Sequence, residues 1–318
     1  MVKKLLVSVL LLGAFIANAC ATNLTKFVVF GDSLSDNGNL YAYLKKQLPP
    51  SPPYYKGRFS NGYVWVEQLA QQYYPNDWQG HILNYAFGGA GVATPSEDGS
   101  NEEDEVMFSL GREIDSYLLA HGDKADDDSL YTIWIGSNNY IASHFNPAKT
   151  AKGVIAGIKS KLERLAQRGA RHILVLNLPD MGKSPAARAI FSEAELSECT
   201  ALHNAGLSQL VDNLKQTYPA VDWIYYDVFA LFSDATQNPE QYGLTNTTDT
   251  CYQSVLSATD ESLEPAKSML MLTAKFTEKT KPCTGYMFFD GVHPTAHVHA
   301  EIAKLIKQFL DNQALNFT

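Results

Sequence analysis

Residues 26–31 read KFVVFG and run directly into Asp32-Ser33-Leu34-Ser35. A short apolar run ending in glycine reads as a buried strand that feeds a tight turn. Outward from it, three more such runs follow at wide intervals: 130–136 (LYTIWIG), 172–178 (HILVLNL) and 222–228 (DWIYYDV). Residues 82–86 (ILNYA) are a shorter candidate between the first two. Apolar residues recur at helical spacing in 64–74, 106–119, 154–165 and 201–214. A last helix is expected over about 296–310, where Val298, Ile302, Leu305, Ile306 and Phe309 form one stripe. Strands alternating with helices imply an α/β fold, a parallel sheet covered by helices on both faces. Ligands of such sheets bind beyond the carboxyl ends of the strands.

The chain has 318 residues, 45% of them hydrophobic, which suffices for one sizeable core. No internal repeat or long low-complexity tract divides it. Lys3 and Lys4 precede a short apolar run from Leu5 to Ile16, and small residues follow as Ala17-Asn18-Ala19 or Ala19-Cys20-Ala21. This is the pattern of a secretory signal peptide. The run is too short for a stable bilayer helix, which needs about 20 residues. The expected organisation is therefore a signal peptide over 1–21 and a single domain over 22–318, secreted to the periplasm or beyond. A retained anchor and a lipid-modified Cys20 stay open as alternatives.

The net charge is −9, and cleavage would remove two lysines and no acid. Nucleic acid is not an expected partner, because its binding rests on Lys and Arg contacts to phosphate. Contact with a membrane surface would have to rest on apolar side chains. Of the four cysteines, Cys20 goes with the signal peptide if cleavage follows Ala21, leaving Cys199, Cys251 and Cys283. Cys251 and Cys283 flank a polar, irregular segment and are expected to pair, as an exported protein allows. The scattered spacing gives no zinc pattern. Residues 48–55 read as a proline-rich linker and 94–105 as an acidic, solvated loop. The stretch 238–282 carries few strand signals, and long loops of that kind often cover functional sites. Within it, Met269 to Leu272 and Phe276 read either as buried packing or as a mobile cover that touches lipid.

The chemically suggestive residues all follow strand ends or precede the last helix. Ser33 follows the first strand, and its N–H, at the start of the next helix, would face a developing oxyanion. Asp290-Gly291-Val292-His293-Pro294 sits before the last helix. A spacing of three on a turn lets the carboxylate reach the imidazole Nδ1 and leaves Nε2 as a base. The order Ser, Asp, His matches the α/β-hydrolases, but their Gly-x-Ser-x-Gly elbow is absent. The glycines of Asn84 to Ala90 (NYAFGGA) permit close backbone approach to a ligand. Asn138, in Gly136-Ser137-Asn138, can offer its amide to an oxyanion. His297 and His299 follow closely, but residues two apart on a helix face different sides, so no metal site is expected.

Taken together, FGDSLSDNGN, GRFSNG, NYAFGGA, IGSNNY and DGVHPT resemble the motifs of the GDSL, or SGNH, serine hydrolase family across essentially the whole mature chain. Within it the sequence is similar to the bacterial secreted lysophospholipase A and glycerophospholipid–cholesterol acyltransferase group. The resemblance implies a flavodoxin-like three-layer α/β/α sandwich with a mostly parallel five-stranded sheet. It implies Ser33, Asp290 and His293 as the catalytic triad and Ser33, Gly89 and Asn138 as the oxyanion hole, with no cofactor and no metal. The implied substrate is a lysophospholipid or phospholipid met in transient membrane-surface contact, with cholesterol as an alternative acyl acceptor. In that group a similar disulfide loop is associated with proteolytic activation, which implies an activating protease as a partner. Asn139 departs from the family, where many members carry Asp. Two competing readings are an esterase of acetylated sugars and a non-catalytic surface-binding protein.

Overall fold

The computed structural model describes residues 23–93, 108–141, 146–190, 192–252, 282–313 and 315–318. The chain opens with β1 (Asn23–Leu24) and β2 (Lys26–Gly31), followed by β3 (Ile82–Asn84), β4 (Ser129–Trp134), β5 (His172–Leu176) and β6 (Asp222–Tyr226). The last five form one sheet in the order β3-β2-β4-β5-β6, with every pair parallel. Phe27 lies opposite both Ile82 and Leu130, and Tyr131 opposite Ile173. Every residue of β4 and β5 is buried, which is why those strands read as unbroken apolar runs rather than alternating ones. Four of the runs extend past the strands themselves. The strands stop at Asn84, Trp134, Leu176 and Tyr226, although beyond them Tyr85 and Phe87 still donate to the Val29 and Gly31 carbonyls of β2 and Asn177 to the Tyr226 carbonyl of β6.

The helices are α1 (Asn39–Tyr43), α2 (Trp65–Tyr73), α3 (Leu110–Ala120), α4 (Asn138–Ile141), α5 (Pro147–Arg168), α6 (Pro185–Ile190), α7 (Glu193–Thr217), α8 (Val228–Gln237) and α9 (Ala296–Asp311). Local sequence sets their ends. The Asn146 side chain accepts the Lys149 N–H ahead of Pro147, and Gly169 closes α5 in the left-handed conformation. α3, α5 and α7 pack side by side, while α2 packs on α9. The chain runs outward from β2 to β3, then back across β2 to β4. With crossovers of one hand, that reversal puts the two helix sets on opposite faces. The result is a three-layer α/β/α sandwich of flavodoxin-like order, and the reversal opens a crevice between the carboxyl ends of β2 and β4.

Two small parallel sheets complete the fold. β1 pairs with β9 (Asn316–Phe317), and β7 (Asn246–Thr250) pairs with β8 (Tyr286–Phe288). β7 corrects the expectation for 238–282. Its sequence NTTDT is polar and no side chain of it is fully buried, so nothing in it signals a strand until β8 lies beside it. Cys251 and Cys283 form a disulfide, and Cys199 is a buried free thiol. Cys251 belongs to a second apolar cluster with Leu40, Tyr54, Phe59, Tyr252 and Phe289. The acidic loop 94–105, the segment with Met269 to Leu272, and the leader with Cys20 lie outside the described residues.

Candidate active site

The fold brings Ser33, Asp290 and His293 together from opposite ends of the chain. His293 Nε2 lies 2.8 Å from Ser33 Oγ, and His293 Nδ1 lies 2.7 Å from Asp290 Oδ2 and 2.9 Å from Oδ1. Both oxygens of one carboxylate facing Nδ1 assign the ring proton to that nitrogen and leave Nε2 as the acceptor toward the serine. The Asp290 turn is built locally: Oδ1 accepts the N–H groups of Val292 at 3.0 Å and His293 at 2.8 Å. The return of the chain is closed by Phe289 N–H donating to the His293 carbonyl. All three side chains are nearly inaccessible, Ser33 at 6% and the other two at 1%. Burial alone would raise the Asp290 carboxyl. The adjacent His293 charge, with hydrogen bonds from His293, Tyr54 and Val292, holds it below its ordinary value.

Ser33 lies in a turn and not at the start of a helix, which corrects the sequence expectation. The Asp32 carbonyl accepts from Ser35 and Asp36, giving a single turn. The Asp36 carboxylate then takes the N–H groups of Gly38, Asn39 and Leu40 and starts α1 only at Asn39. The same carboxylate accepts from Gly88 at 2.8 Å, fastening the glycine loop beside the Ser33 turn. Asn84 donates to the Ser35 carbonyl, and Asn39 donates to the carbonyls of Asn84 and Ala86. Beneath them Glu113 accepts from Gly31 at 2.8 Å and from Phe87 at 3.3 Å. Burial pushes Asp32 and Asp36 up to about 6 and Glu113 well above its ordinary value.

Gly88 must be glycine, since a Cβ there would lie 2.3 Å from the Phe59 ring. Gly89 has φ 78°, the left-handed region. Gly88 N–H and Ala90 N–H are both engaged, whereas the N–H groups of Gly89 and Ser33 have no acceptor among the described residues. Asn138 donates one amide hydrogen to the Ala90 carbonyl at 2.8 Å, which leaves the second for a ligand. Asn139, the departure from the family pattern, accepts from Val92 N–H at 2.9 Å and donates to the Val92 carbonyl at 2.8 Å. An aspartate could make only the first of these bonds.

Ser33, Asn138 and His293 open onto a cavity of about 270 Å³. Trp134, Leu178, Met181, Phe232 and Met287 give it an apolar lining, with Lys183 and Arg188 also on its wall. His297 and His299 do not share a site: His297 Nε2 meets the Tyr242 carbonyl, and His299 Nδ1 accepts from Trp65 N–H. Five supporting residues escaped the sequence reading: Asp36, Tyr54, Asn84, Glu113 and Ser137, whose hydroxyl donates to Asp32 Oδ2 at 2.8 Å. Asp36, Asn84 and Ser137 stand inside the motifs FGDSLSDNGN, NYAFGGA and IGSNNY, which could have pointed to them, whereas Tyr54 and Glu113 lie outside any motif.

His203 of α7 lies buried behind Gly136 and shares a 2.9 Å hydrogen bond with the Tyr140 hydroxyl. Burial pushes it down to about 3. Below its ordinary value of 6.5 the unfolded chain binds a proton that the native state refuses, so stability falls as pH falls. The stability margin over His203→Asn is therefore expected to shrink between about pH 6.5 and 3, by up to about 1.4 kcal/mol per pH unit. Denaturant melts across that range measure it, and a constant margin would contradict the assignment.

A family model described as GDSL-like lipase/acylhydrolase matches residues 27–306. The chain is 33% identical to the phosphatidylcholine-sterol acyltransferase of Aeromonas hydrophila, over 91% of each chain. It is 28% identical to the secreted effector protein SseJ of Salmonella typhimurium and 27% identical to the thermolabile hemolysin of Vibrio parahaemolyticus. These matches cover 92% of this chain and 65% of either relative, so the chain spans about two thirds of their length.

Proposed function

The chain belongs to the GDSL-like lipase/acylhydrolase family, and from that premise we propose that it cleaves fatty-acyl esters of lysophospholipids and phospholipids through an acyl-enzyme on Ser33. The observation that carries this reading is the 2.8 Å contact between His293 Nε2 and Ser33 Oγ at the mouth of an apolar cavity. Ser33 Oγ attacks the ester carbonyl carbon and gives its proton to His293 Nε2. The N–H groups of Ser33 and Gly89 and the free amide hydrogen of Asn138 hold the oxyanion. As the carbon–oxygen bond to the leaving alcohol breaks, His293 returns the proton to that oxygen. Water then attacks the acyl group, with His293 again as base, and releases a fatty acid. Asp290 stays ionised throughout and keeps the imidazole in one tautomer.

A sterol hydroxyl can replace water in the second step, a reading supported by the sterol acyltransferase relative. The cavity lining favours an acyl chain over an acetylated sugar, whose hydroxyls would meet few partners there. Export by a leader over 1–21, with one hydrolase domain over 22–318, rests on the leader's sequence and fits the disulfide. No described helix is long and apolar enough to cross a membrane.

The test is product analysis with lysophosphatidylcholine, with and without cholesterol. Free fatty acid supports the hydrolase, cholesteryl ester adds the transferase, and acetate release from acetylated sugars alone would replace both. In the same assay Asn138→Ala is expected to lower kcat by about 10²–10³ with little change in KM, the usual cost of one oxyanion donor. A fall confined to KM would remove Asn138 from that role.

A further inference from the structure

Tyr54 lies in the segment the sequence presents as a proline-rich linker, 236 positions from Asp290. Yet its hydroxyl donates to Asp290 Oδ2 at 2.6 Å, and it is 1% exposed. That oxygen is also the one His293 Nδ1 approaches at 2.7 Å. Oδ1 is fixed by two backbone N–H groups of its own turn, so Tyr54 and His293 are the groups that fix Oδ2. The Tyr54 ring in turn stands edge-on to Phe289 at 5.0 Å and to Tyr252 at 5.8 Å. Tyr252 stacks on Phe289 at 5.3 Å, and the N–H groups of Cys251 and Tyr252 donate to the carbonyls of Phe288 and Phe289. The disulfide joins Cys251 to Cys283, three residues before β8, which leads into Asp290.

We infer that Tyr54 is a positioning residue for the triad carboxylate, its hydroxyl set by the bond to Oδ2 and its ring packed against the disulfide-anchored Tyr252 and Phe289. The inference rests on the triad proposed above. The hydroxyl does two things. It stops the carboxylate from rotating about its own axis, and it draws charge from Oδ2, moderating how strongly the carboxylate holds a proton on the imidazole. Loss of the hydroxyl therefore leaves a freer carboxylate that favours imidazolium more strongly. Among the described residues, the other titratable groups felt around Tyr54, Asp290 and His293 are Asp32 from the Ser33 turn and His299 from α9, which interact electrostatically with His293, and Tyr252, which interacts with Tyr54.

The experiment compares the full-length protein with Tyr54→Phe and Tyr252→Leu, using a short p-nitrophenyl ester, so that lipid preference does not enter. Tyr54→Phe is expected to lose about 10-fold in kcat with KM nearly unchanged, the worth of one hydrogen bond to a charged group. The acid limb of its kcat/KM profile should move to higher pH. The low-field proton signal of His293 Nδ1–H should shift. Tyr252→Leu disturbs the same packing without removing a hydrogen bond to Asp290. It should lower Tm while keeping the wild-type pH limb. A Tyr54→Phe protein whose pH limb and low-field signal match wild type would overturn the inference, whatever its stability. Failure of the triad itself would show separately, as turnover surviving in Ser33→Ala. The low-field signal judges Tyr54 in either case.

Discussion

Ser33→Ala is expected to lower ester turnover by on the order of 10⁶ while the protein stays folded. Under the proposed mechanism the serine does three jobs at once: it supplies the attacking oxygen, its N–H supplies an oxyanion donor, and its Oγ fills the acceptor valence of His293 Nε2. Alanine keeps the N–H and removes the rest. Without a nucleophile, no acyl-enzyme can form, and removal of the serine alone costs about as much as removal of the whole triad. Ser33 is small and its Oγ meets only His293 among the described residues. The fold around it is held by Asp32, Asp36 and Glu113, which the substitution leaves untouched. Tm should therefore stay within a few degrees of wild type. Turnover of a p-nitrophenyl ester, covalent labelling by a fluorophosphonate and a thermal melt together check this. Labelling that persists in the variant would mean that the nucleophile lies elsewhere.

Asp290→Asn is expected to cost about 10⁴ in kcat, through the wrong tautomer rather than through lost geometry. The backbone N–H groups of Val292 and His293 both point at Oδ1, so an asparagine must put its carbonyl oxygen there. Its NH₂ then occupies the Oδ2 position, 2.7 Å from His293 Nδ1 and 2.6 Å from the Tyr54 hydroxyl. An amide donor facing Nδ1 makes that nitrogen the acceptor and moves the ring proton to Nε2. An Nε2–H against Ser33 cannot accept the serine proton. The substitution is isosteric, so KM should change little. If kcat stays within tenfold of wild type, Asp290 does not set the tautomer.

The sequence was most legible where chemistry and strand ends coincide. Apolar runs led up to or just past the carboxyl ends of β2, β3 and β4, and the candidate site residues stood there. The order Ser, Asp, His pointed to a triad only together with the NYAFGGA and Gly136-Ser137-Asn138 stretches and the family resemblance that these motifs carry. Ser33 itself was misplaced at a helix start, because a carboxylate three residues on interrupts the helix after one turn. β7 was missed because a polar strand has no periodicity of its own to read. Tyr54 was hidden for a different reason. A tyrosine among prolines looks like any linker tyrosine, and its meaning comes from a carboxylate contributed by a segment 236 positions away. Asn139 shows the reverse case: the sequence marked it as a departure, and the structure supplies its purpose in the paired bonds to Val92.

Ser33 and His293 are 260 positions apart, and the first and last described strands, β1 and β9, pair with each other. Under the proposed roles this arrangement governs when the protein can become active during its own synthesis. Ser33 leaves the ribosome early, with no imidazole in reach, and a chain cut short before residue 293 never acquires one. Domains fold as units, so the pair assembles only after residue 293 has been made. An acylhydrolase assembled in this way would thus be harmless to its maker while nascent, and products cut short before that residue would be harmless for good.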